Sequence, residues 1–327
     1  MKKILAILLA LVLVLVSAAA LAADGDSGMV SESFTFTGEG SFQKSYTTSG
    51  TSTTVLPTET LNFVSAPDGD NPDTTNLTIA GYSVSGATGY LTVTVPSYSK
   101  VGIYKYTITE TAGSSQGATY STAELGLTVL VTYNYAEKKL DAVAGITKVN
   151  GKKEDTFANT YEVGALDVTK TVTGNMGDQS QYFDVTVTFT AAKTVNNAIS
   201  YTGGSDATGA GTIAAGWTGE KKVQLKIKHG ETIAFSDIPS GVTYTVAEDT
   251  KHEAEDPTGA DGSIGYDISY TGESGTITNS KATAAITNDK DISVDTGISM
   301  ETVPYIMILA LALVGAAMMI IRKREEY

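Results

Sequence analysis

The stretch from Gly164 to Gly174, GALDVTKTVTG, alternates apolar and polar residues as a β-strand does, yet it carries a lysine on its apolar side. Side chains two residues apart on a strand share a face, so Leu166, Val168 and Lys170 point the same way. An ionised lysine that faces a core is costly unless it is paired or its charge is removed. The stretch therefore predicts a half-buried strand whose lysine needs a partner.

Similar alternation recurs along the chain and predicts an all-β protein. The runs are rich in Val, Ile, Thr, Tyr and Phe and are separated by Gly, Ser, Asn and Asp, which is typical of β-sandwiches. They are Leu91–Val95, Ile103–Ile108, Leu127–Tyr133, Phe183–Phe189, Val223–Ile227 and Val242–Val246. Residues 68–75 and 202–216 are the least strand-like and are predicted to be loops.

Both ends of the chain carry apolar segments that predict export. Residues 1–22 combine a basic start, an apolar run and the small-residue cleavage pattern Ala20-Leu21-Ala22, so the mature chain is expected to begin at Ala23. Residues 303–321 are apolar over nearly the roughly 20 residues that span a bilayer. The basic cluster Arg322-Lys323-Arg324 follows, and the positive-inside rule places it in the cytoplasm.

The composition argues against several classes of function. The formal net charge is −14, and it becomes −16 once Lys2 and Lys3 leave with the signal peptide. Both arginines, Arg322 and Arg324, lie in the C-terminal tail, so the external region lacks the basic footprint of a nucleic-acid-binding protein. The acidic loop at residues 68–73 lacks the glycine and glutamate of an EF-hand, and no metal or cofactor is expected. The chain has no cysteine, although exported proteins commonly use disulfides.

Two regions of the chain repeat the same order of polar residues on apolar strand faces. In each region a lysine comes first, then a glutamate that ends a strand, then an asparagine on the closing strand. The two trios are Lys44, Glu110 and Asn159, and Lys170, Glu248 and Asn288. A boundary between Tyr161 and Leu166 leaves a complete trio on either side. We therefore expect two domains, residues 23–162 and residues 163–290.

Each trio has two interpretations from its residue types. One is an ordinary buried network of hydrogen bonds. The other is covalent: burial lowers the pKa of a lysine and raises that of a glutamate, so a neutral amine could attack a side-chain amide with help from a carboxylic acid. Ammonia would leave, and the resulting amide between side chains would remove the buried charge. Repetition of the trio in both regions favours the covalent interpretation.

Several motifs resemble those of a known family. In the second region they are LDVTKTVTG, YTVAED and AAITND, and in the first they are SFQKSY, VGIYKYTITE and DTFANT. Together they are similar to the major (backbone) pilins of Gram-positive bacteria, of the streptococcal T-antigen type. The resemblance implies two tandem CnaB-type immunoglobulin-like β-sandwiches, each closed by a Lys–Asn isopeptide bond that a glutamate promotes.

Carried over by position, the resemblance assigns a role to each member of the trios. It implies bonds from Lys44 to Asn159 and from Lys170 to Asn288, with Glu110 and Glu248 as the promoting acids. Each bond would join the first strand of a domain to its last. Such a link restricts the unfolded chain as a long-loop disulfide does, which would compensate for the lack of cysteine.

A sorting signal is predicted at residues 293–297, which read SVDTG, just ahead of the apolar segment and basic tail. The order resembles a sortase signal, with cleavage between Thr296 and Gly297 and removal of residues 298–327. Ser293 and Val294 replace the Leu and Pro of the LPxTG consensus, with Asp295 in the variable position, which favours a dedicated pilin sortase. The alternative is a plain membrane anchor with a chance Thr-Gly pair.

Polymerisation also needs a lysine that accepts the cleaved end of another copy. Lys152 stands where the family carries its linking lysine, a few residues before the closing asparagine of the first domain. Lys153 and Lys148 remain rivals, and a solvated basic turn is the alternative.

The prediction from the sequence is a structural protein, the main subunit of an extracellular, wall-anchored pilus. Its expected partners are further copies of itself, a pilin-type sortase, minor pilins and peptidoglycan, with the membrane engaged only transiently. A wall-anchored monomeric adhesin with the same domains is the second interpretation. An exported enzyme with an added substrate ranks last.

Overall fold

The computed structural model describes residues 29–204, 210–249, 265–291 and 303–325. The predicted signal peptide, residues 1–22, and the predicted sorting motif, residues 293–297, lie outside these ranges. Within the described residues the chain is built of strands apart from one C-terminal helix, which confirms the all-β prediction.

Strands form where apolar and polar residues alternate, because alternation gives a strand one face for the core. The first region of the chain contains β1 (Phe34–Phe36), β2 (Gln43–Gly50), β3 (Thr60–Pro67), β4 (Thr78–Ile79), β5 (Tyr82–Ser83), β6 (Thr88–Tyr90), β7 (Val93–Val95), β8 (Gly102–Thr111), β9 (Ala118–Thr119), β10 (Glu124–Asn134) and β11 (Lys139–Thr147). The strand β12 (Thr156–Thr173) follows.

The second region contains nine further strands and the helix. They are β13 (Phe183–Val195), β14 (Ile199–Gly203), β15 (Ala210–Ile213), β16 (Trp217–Ile227), β17 (Thr232–Pro239), β18 (Thr243–Glu248), β19 (Asp267–Thr271), β20 (Ser274–Thr276), β21 (Lys281–Asp289) and α1 (Val303–Glu325).

Four sheets account for these strands. The first region contains a sheet of order β11-β10-β8-β3-β5 and a small sheet of order β1-β7-β4. The second region contains a sheet of order β16-β13-β18-β20. The largest sheet contains β15-β14-β17-β12-β2-β6, and β21 and β9 also pair with β12. β12 therefore serves both regions of the chain.

Each region buries its own apolar side chains. In the first, Phe42, Leu61, Tyr104, Leu127 and Phe157 belong to a buried cluster drawn from several strands. In the second, the rings of Phe189 on β13 and Phe235 on β17 meet edge to face, with centroids 5.2 Å apart. This contact joins side chains from two different sheets, as in a sandwich.

The described chain divides into two compact units. Nearly all strand residues lie in the first, which contains the described residues among 29–171, 180–249 and 270–286. The second contains residues 172–179 and the described residues among 265–269 and 287–325. Within the second unit, the backbone N–H of Met176 donates to the carbonyl of Lys290 at 3.0 Å, and that of Asp178 donates to the Tyr266 hydroxyl at 3.0 Å.

The predicted domain boundary falls inside a continuous strand. β12 runs through residues 162 and 163 with only a register shift between Gly164 and Leu166 where it pairs with β17. A β-carbon at Gly164 would lie 2.1 Å from the carbonyl oxygen of Thr278, so a neighbouring backbone occupies the space that a side chain needs. The expected separate closing and opening strands are thus one element.

The two predicted loops differ in outcome. Residues 68–75 form turns and bends, as predicted. The prediction of a loop over residues 202–216 is wrong for some of these residues, because β14 continues to Gly203 and Ala210–Ile213 form β15. Ile213 is buried and pairs with Ile199, so sheet hydrogen bonds and one apolar contact order a segment of weak strand propensity.

The C-terminal helix matches the predicted membrane segment. Residues Tyr305–Arg322 of α1 form a window of mean hydropathy 2.2 with none of it buried against the rest of the chain. By length and composition this helix can cross a bilayer.

Candidate functional sites

The first trio converges inside the first region of the chain. Lys44 lies on β2, Glu110 on β8 and Asn159 on β12. β2 and β12 run parallel, and Lys44 stands opposite Phe157, two residues before Asn159. Lys44 and Asn159 are each 1% exposed, and the side chain of Glu110 is fully buried.

Glu110 bridges the other two members. One carboxylate oxygen lies 3.0 Å from Nζ of Lys44, and the other accepts a hydrogen bond of 2.7 Å from Nδ2 of Asn159. Nζ of Lys44 also donates to the carbonyl oxygen of Phe157 at 2.9 Å. The carboxylate therefore touches both the amine and the amide nitrogen.

A backbone group fixes the orientation of the Asn159 amide. The N–H of Ser121 donates to Oδ1 of Asn159 at 2.8 Å. Since an N–H can only donate, the carbonyl end of the amide must face Ser121 and the nitrogen end must face Glu110. A donor aimed at a carbonyl oxygen polarises it and stabilises negative charge that develops there.

Burial sets the protonation of the amine. Desolvation lowers the pKa of Lys44 from its ordinary 10.5, while the hydrogen bond and charge of Glu110 act in the opposite direction. The net shift is downward, which favours the neutral, nucleophilic form. The arrangement presents an amine, an acid-base group and a polarised amide in one dry site.

The second trio contributes a similar buried pair. Nζ of Lys170 on β12 lies 2.6 Å from a carboxylate oxygen of Glu248 on β18, and both side chains are fully buried. The same Nζ sits 4.2 Å from the centroid of the Phe183 ring. Burial lowers the pKa of Lys170, against the effect of Glu248. Asn288 is fully buried on β21.

The candidate linking lysines lie around a tight hairpin. Val149 and Lys152 exchange backbone hydrogen bonds of 2.9 and 3.0 Å across Asn150 and Gly151. Both turn residues have positive φ, 51° and 80°, which suits an Asn-Gly turn between strands. Lys152, Lys153 and Lys148 are all exposed.

The sequence did not point to the polar residues around the first trio. Tyr46 shares a face with Lys44 and could have been found from strand parity. Glu59, Ser115 and Tyr120 come from segments without periodicity and meet only through the fold, with Ser115 and Tyr120 each donating to Glu59 at 2.7 Å.

Ser115 also lies in a short motif with hydrolase-like spacing. Residues 113–117 read GSSQG, which has the G-x-S-x-G spacing of a hydrolase nucleophile. In the structure Ser115 is fully buried and its hydroxyl donates to a carboxylate rather than to a histidine. Its role is that of a structural hydrogen-bonding residue.

Comparison with known proteins agrees with the motifs. Residues 23–162 match the family model described as a Spy0128-like isopeptide containing domain. Residues 164–290 match a second family model, described as a domain of unknown function, DUF7601.

A pilin is also similar to this chain. A protein described as a pilin of Streptococcus pyogenes serotype M1 is 27% identical over 242 residues, which cover 70% of this chain and 69% of that protein. The resemblance to Gram-positive major pilins is therefore confirmed, and it supports a role as a pilus subunit at the cell surface.

Two solved structures are also similar. A mutant of the major pilin from S. pyogenes is 20% identical with a TM-score of 0.49, and the match covers 80% of this chain and 100% of that one. The major pilin T3.2 from S. pyogenes serotype GAS13637 is 19% identical with a TM-score of 0.49, covering 81% and 99% of the two chains.

Proposed function

We propose that the chain is the main structural subunit of a covalently polymerised pilus, with domains at residues 23–162 and 163–290 that each form an internal Lys–Asn isopeptide bond. The arrangement of Lys44, Glu110 and Asn159 is the observation that carries this proposal. The pilin relative and the match to the Spy0128-like family model support the assignment to a pilus. In this view the protein's only chemistry is to form its own two cross-links, each once, and it does not turn over an added substrate.

The first bond would form by acyl transfer within the chain. Nζ of Lys44 attacks Cγ of Asn159, and the developing charge on Oδ1 is stabilised by the N–H of Ser121. Glu110 removes a proton from the amine through one oxygen and delivers it to Nδ2 through the other. The Cγ–Nδ2 bond breaks, ammonia leaves, and the new Nζ–Cγ amide is neutral.

The second bond is proposed from Lys170 to Asn288 with Glu248 as the acid-base group. The buried contact between Lys170 and Glu248 supplies the amine and the proton carrier. Asn288 is assigned by its position in the motif AAITND and by its complete burial. Loss of the lysine charge would remove the penalty of burying it.

Assembly would join one copy to the next through a sortase. The enzyme would cut between Thr296 and Gly297, discard Gly297 together with residues 298–327 and α1, and transfer Thr296 to an exposed lysine of another copy. Lys152, after the hairpin turn, is the proposed acceptor. The last copy would attach to peptidoglycan, with minor pilins as further partners.

Intact mass of the recombinant external region tests the isopeptide bonds. The unchanged protein should weigh two ammonia molecules less than its sequence. Glu110→Ala should restore one ammonia and Glu248→Ala the other, since each removes the proton carrier of one bond. Glu154→Ala, an exposed glutamate of the first domain, is the matched control and should keep the full deficit. A mass equal to the sequence would refute the bonds.

A further inference from the structure

A second buried carboxylate lies behind the first trio. The hydroxyl of Tyr46 donates to Oε1 of Glu59. Tyr46 pairs with Asn159 in the parallel register of β2 and β12, so the two side chains are neighbours on one face of the sheet. Tyr46 thus connects the amide that would be attacked to a group outside the trio.

The direction of these hydrogen bonds follows from chemistry. Glu59 accepts from Tyr46, so the lone pairs of the Tyr46 oxygen are open to a donor from the neighbouring Asn159 amide. The amide nitrogen of Asn159 donates one hydrogen to Glu110 and its oxygen faces Ser121, which leaves its second hydrogen for the Tyr46 oxygen. Burial above all, together with the Glu59 contact, raises the pKa of Tyr46 and keeps its hydroxyl protonated.

Glu59 is itself held in place on its far side. Its Oε2 accepts hydrogen bonds of 2.7 Å from Ser115 and 2.7 Å from Tyr120. The backbone N–H of Ser115 donates to the Tyr120 hydroxyl at 2.9 Å, which closes the group. Glu59 therefore accepts from three hydroxyl groups, and this fixes the oxygen that faces Tyr46.

The last contact comes from the second region of the chain, within the same compact unit. Nδ2 of Asn196, in the turn between β13 and β14, donates to Oγ of Ser115 at 2.7 Å. The backbone carbonyl of Asn196 accepts from the N–H of Thr58 at 2.8 Å, next to Glu59. Ser115 can thus accept from Asn196 and donate to Glu59 at the same time.

We propose that Glu59 is a positioning residue for the first isopeptide bond and that the second domain fixes the orientation of Glu59 through Asn196. The relay, defined as Asn196, Ser115, Glu59 and Tyr46, holds the nitrogen of Asn159 against Glu110. The first bond then forms at its full rate only when the second domain has folded against the first. This inference rests on the proposed function, because it concerns the rate of that cross-link.

Pulse synthesis of the whole external region followed by mass spectrometry tests the relay. Peptides around each bond report the ammonia loss at each site separately as a function of time. Tyr46→Phe and Glu59→Gln should slow the first bond about three- to tenfold, the range that one oriented hydrogen bond supports. Asn196→Ala should slow it about two- to threefold, although Asn196 lies in the other domain. The second bond should keep its rate in all three variants and reports that the chain folds.

Tyr98→Phe is the matched control. Tyr98 is also fully buried in the first domain, and its hydroxyl contacts that of Tyr106 at 2.9 Å, outside the relay. This variant should cross-link at the rate of the unchanged chain. In Tyr46→Phe the pH at which the first bond forms at half its maximal rate should be unchanged. A loosened, hydrated site would instead raise that pH towards the ordinary lysine pKa.

The outcomes separate the two proposals. No ammonia loss at the first site of the unchanged chain would overturn the cross-link and the role of Glu59 together. If the unchanged chain, Tyr46→Phe and Asn196→Ala all lose ammonia at the first site at the same rate, the relay alone is overturned. This comparison holds even if Glu59→Gln does not fold.

Discussion

At the scale of single residues, the two buried lysines pose the same physical problem. Each amine is taken out of water, and each has one carboxylate against it. A buried ion pair rarely regains the full cost of desolvating both ions. A bond that removes the positive charge resolves this cost permanently, whereas a hydrogen-bonded pair only reduces it.

Blocking the first bond should make stability depend on pH. In Asn159→Ala, Lys44 stays an amine whose folded pKa lies below its ordinary 10.5. Between these two values the unfolded chain binds more protons, so the free energy of unfolding should rise with pH across that window. Denaturant unfolding over a pH series measures this rise.

The control for this prediction removes the amine as well. Lys44→Met with Asn159→Ala lacks the titrating group and should show a smaller rise over the same window. Identical pH dependence of the single and double variants would contradict the lowered pKa.

Gly164 should resist substitution for a steric reason. A β-carbon there would meet the Thr278 carbonyl oxygen at 2.1 Å, so Gly164→Ala should lower the free energy of unfolding by about 1–3 kcal/mol. Gly69→Ala, where a β-carbon meets nothing within 4 Å, is the control and should change little. Equal stability of both variants in denaturant unfolding would contradict the close approach.

The sequence predicted some residues of the site and missed others for clear reasons. Lys44 and Lys170 stand out because a charge on an apolar face is a local anomaly. Glu59 and Ser115 show no anomaly, since polar residues in irregular segments are ordinary. Only the fold shows that they meet behind Tyr46.

At the scale of elements, most strands were predictable and their joining was not. The alternation in residues 103–108 and 183–189 became β8 and β13 because it marks one buried face. The sequence predicts two strands in place of β12, because its apolar residues change parity near Gly164. Sheet pairing on both sides of that glycine keeps the backbone extended.

The hairpin at residues 149–152 should determine where copies join. Lys152→Arg keeps the charge but removes the primary amine, so it should abolish the high-molecular-weight ladder in boiled cell-wall extracts. Lys153→Arg and Lys148→Arg, which alter exposed neighbours, should leave the ladder intact. A ladder that persists when all three lysines are changed would place the junction elsewhere and favour the monomeric adhesin.

At the scale of the whole molecule, the two proposed bonds would take over the role of disulfides. Each would close a loop of over about 100 residues, for which loop entropy predicts about 4–5 kcal/mol of stabilisation. Glu110→Ala with Glu248→Ala should therefore lower the unfolding temperature by more than about 10 °C.

Calorimetry of the same external region measures this change, with Glu154→Ala as the control. The opposite result is a double variant that regains both ammonia masses and still unfolds at the temperature of the unchanged chain. That result would show that the bonds do not stabilise the fold.

The continuity of β12 has a mechanical consequence. Under the proposed linkage, tension enters at Lys152, follows the chain into β12, crosses to Asn288 at Lys170 and leaves at Thr296. Most residues of both domains then lie outside the covalent path that carries the tension. A strand is already near its full length at about 3.3 Å per residue, so β12, with 18 residues, has almost no slack to give. A filament of such subunits would lengthen very little under tension, and its domains would stay folded.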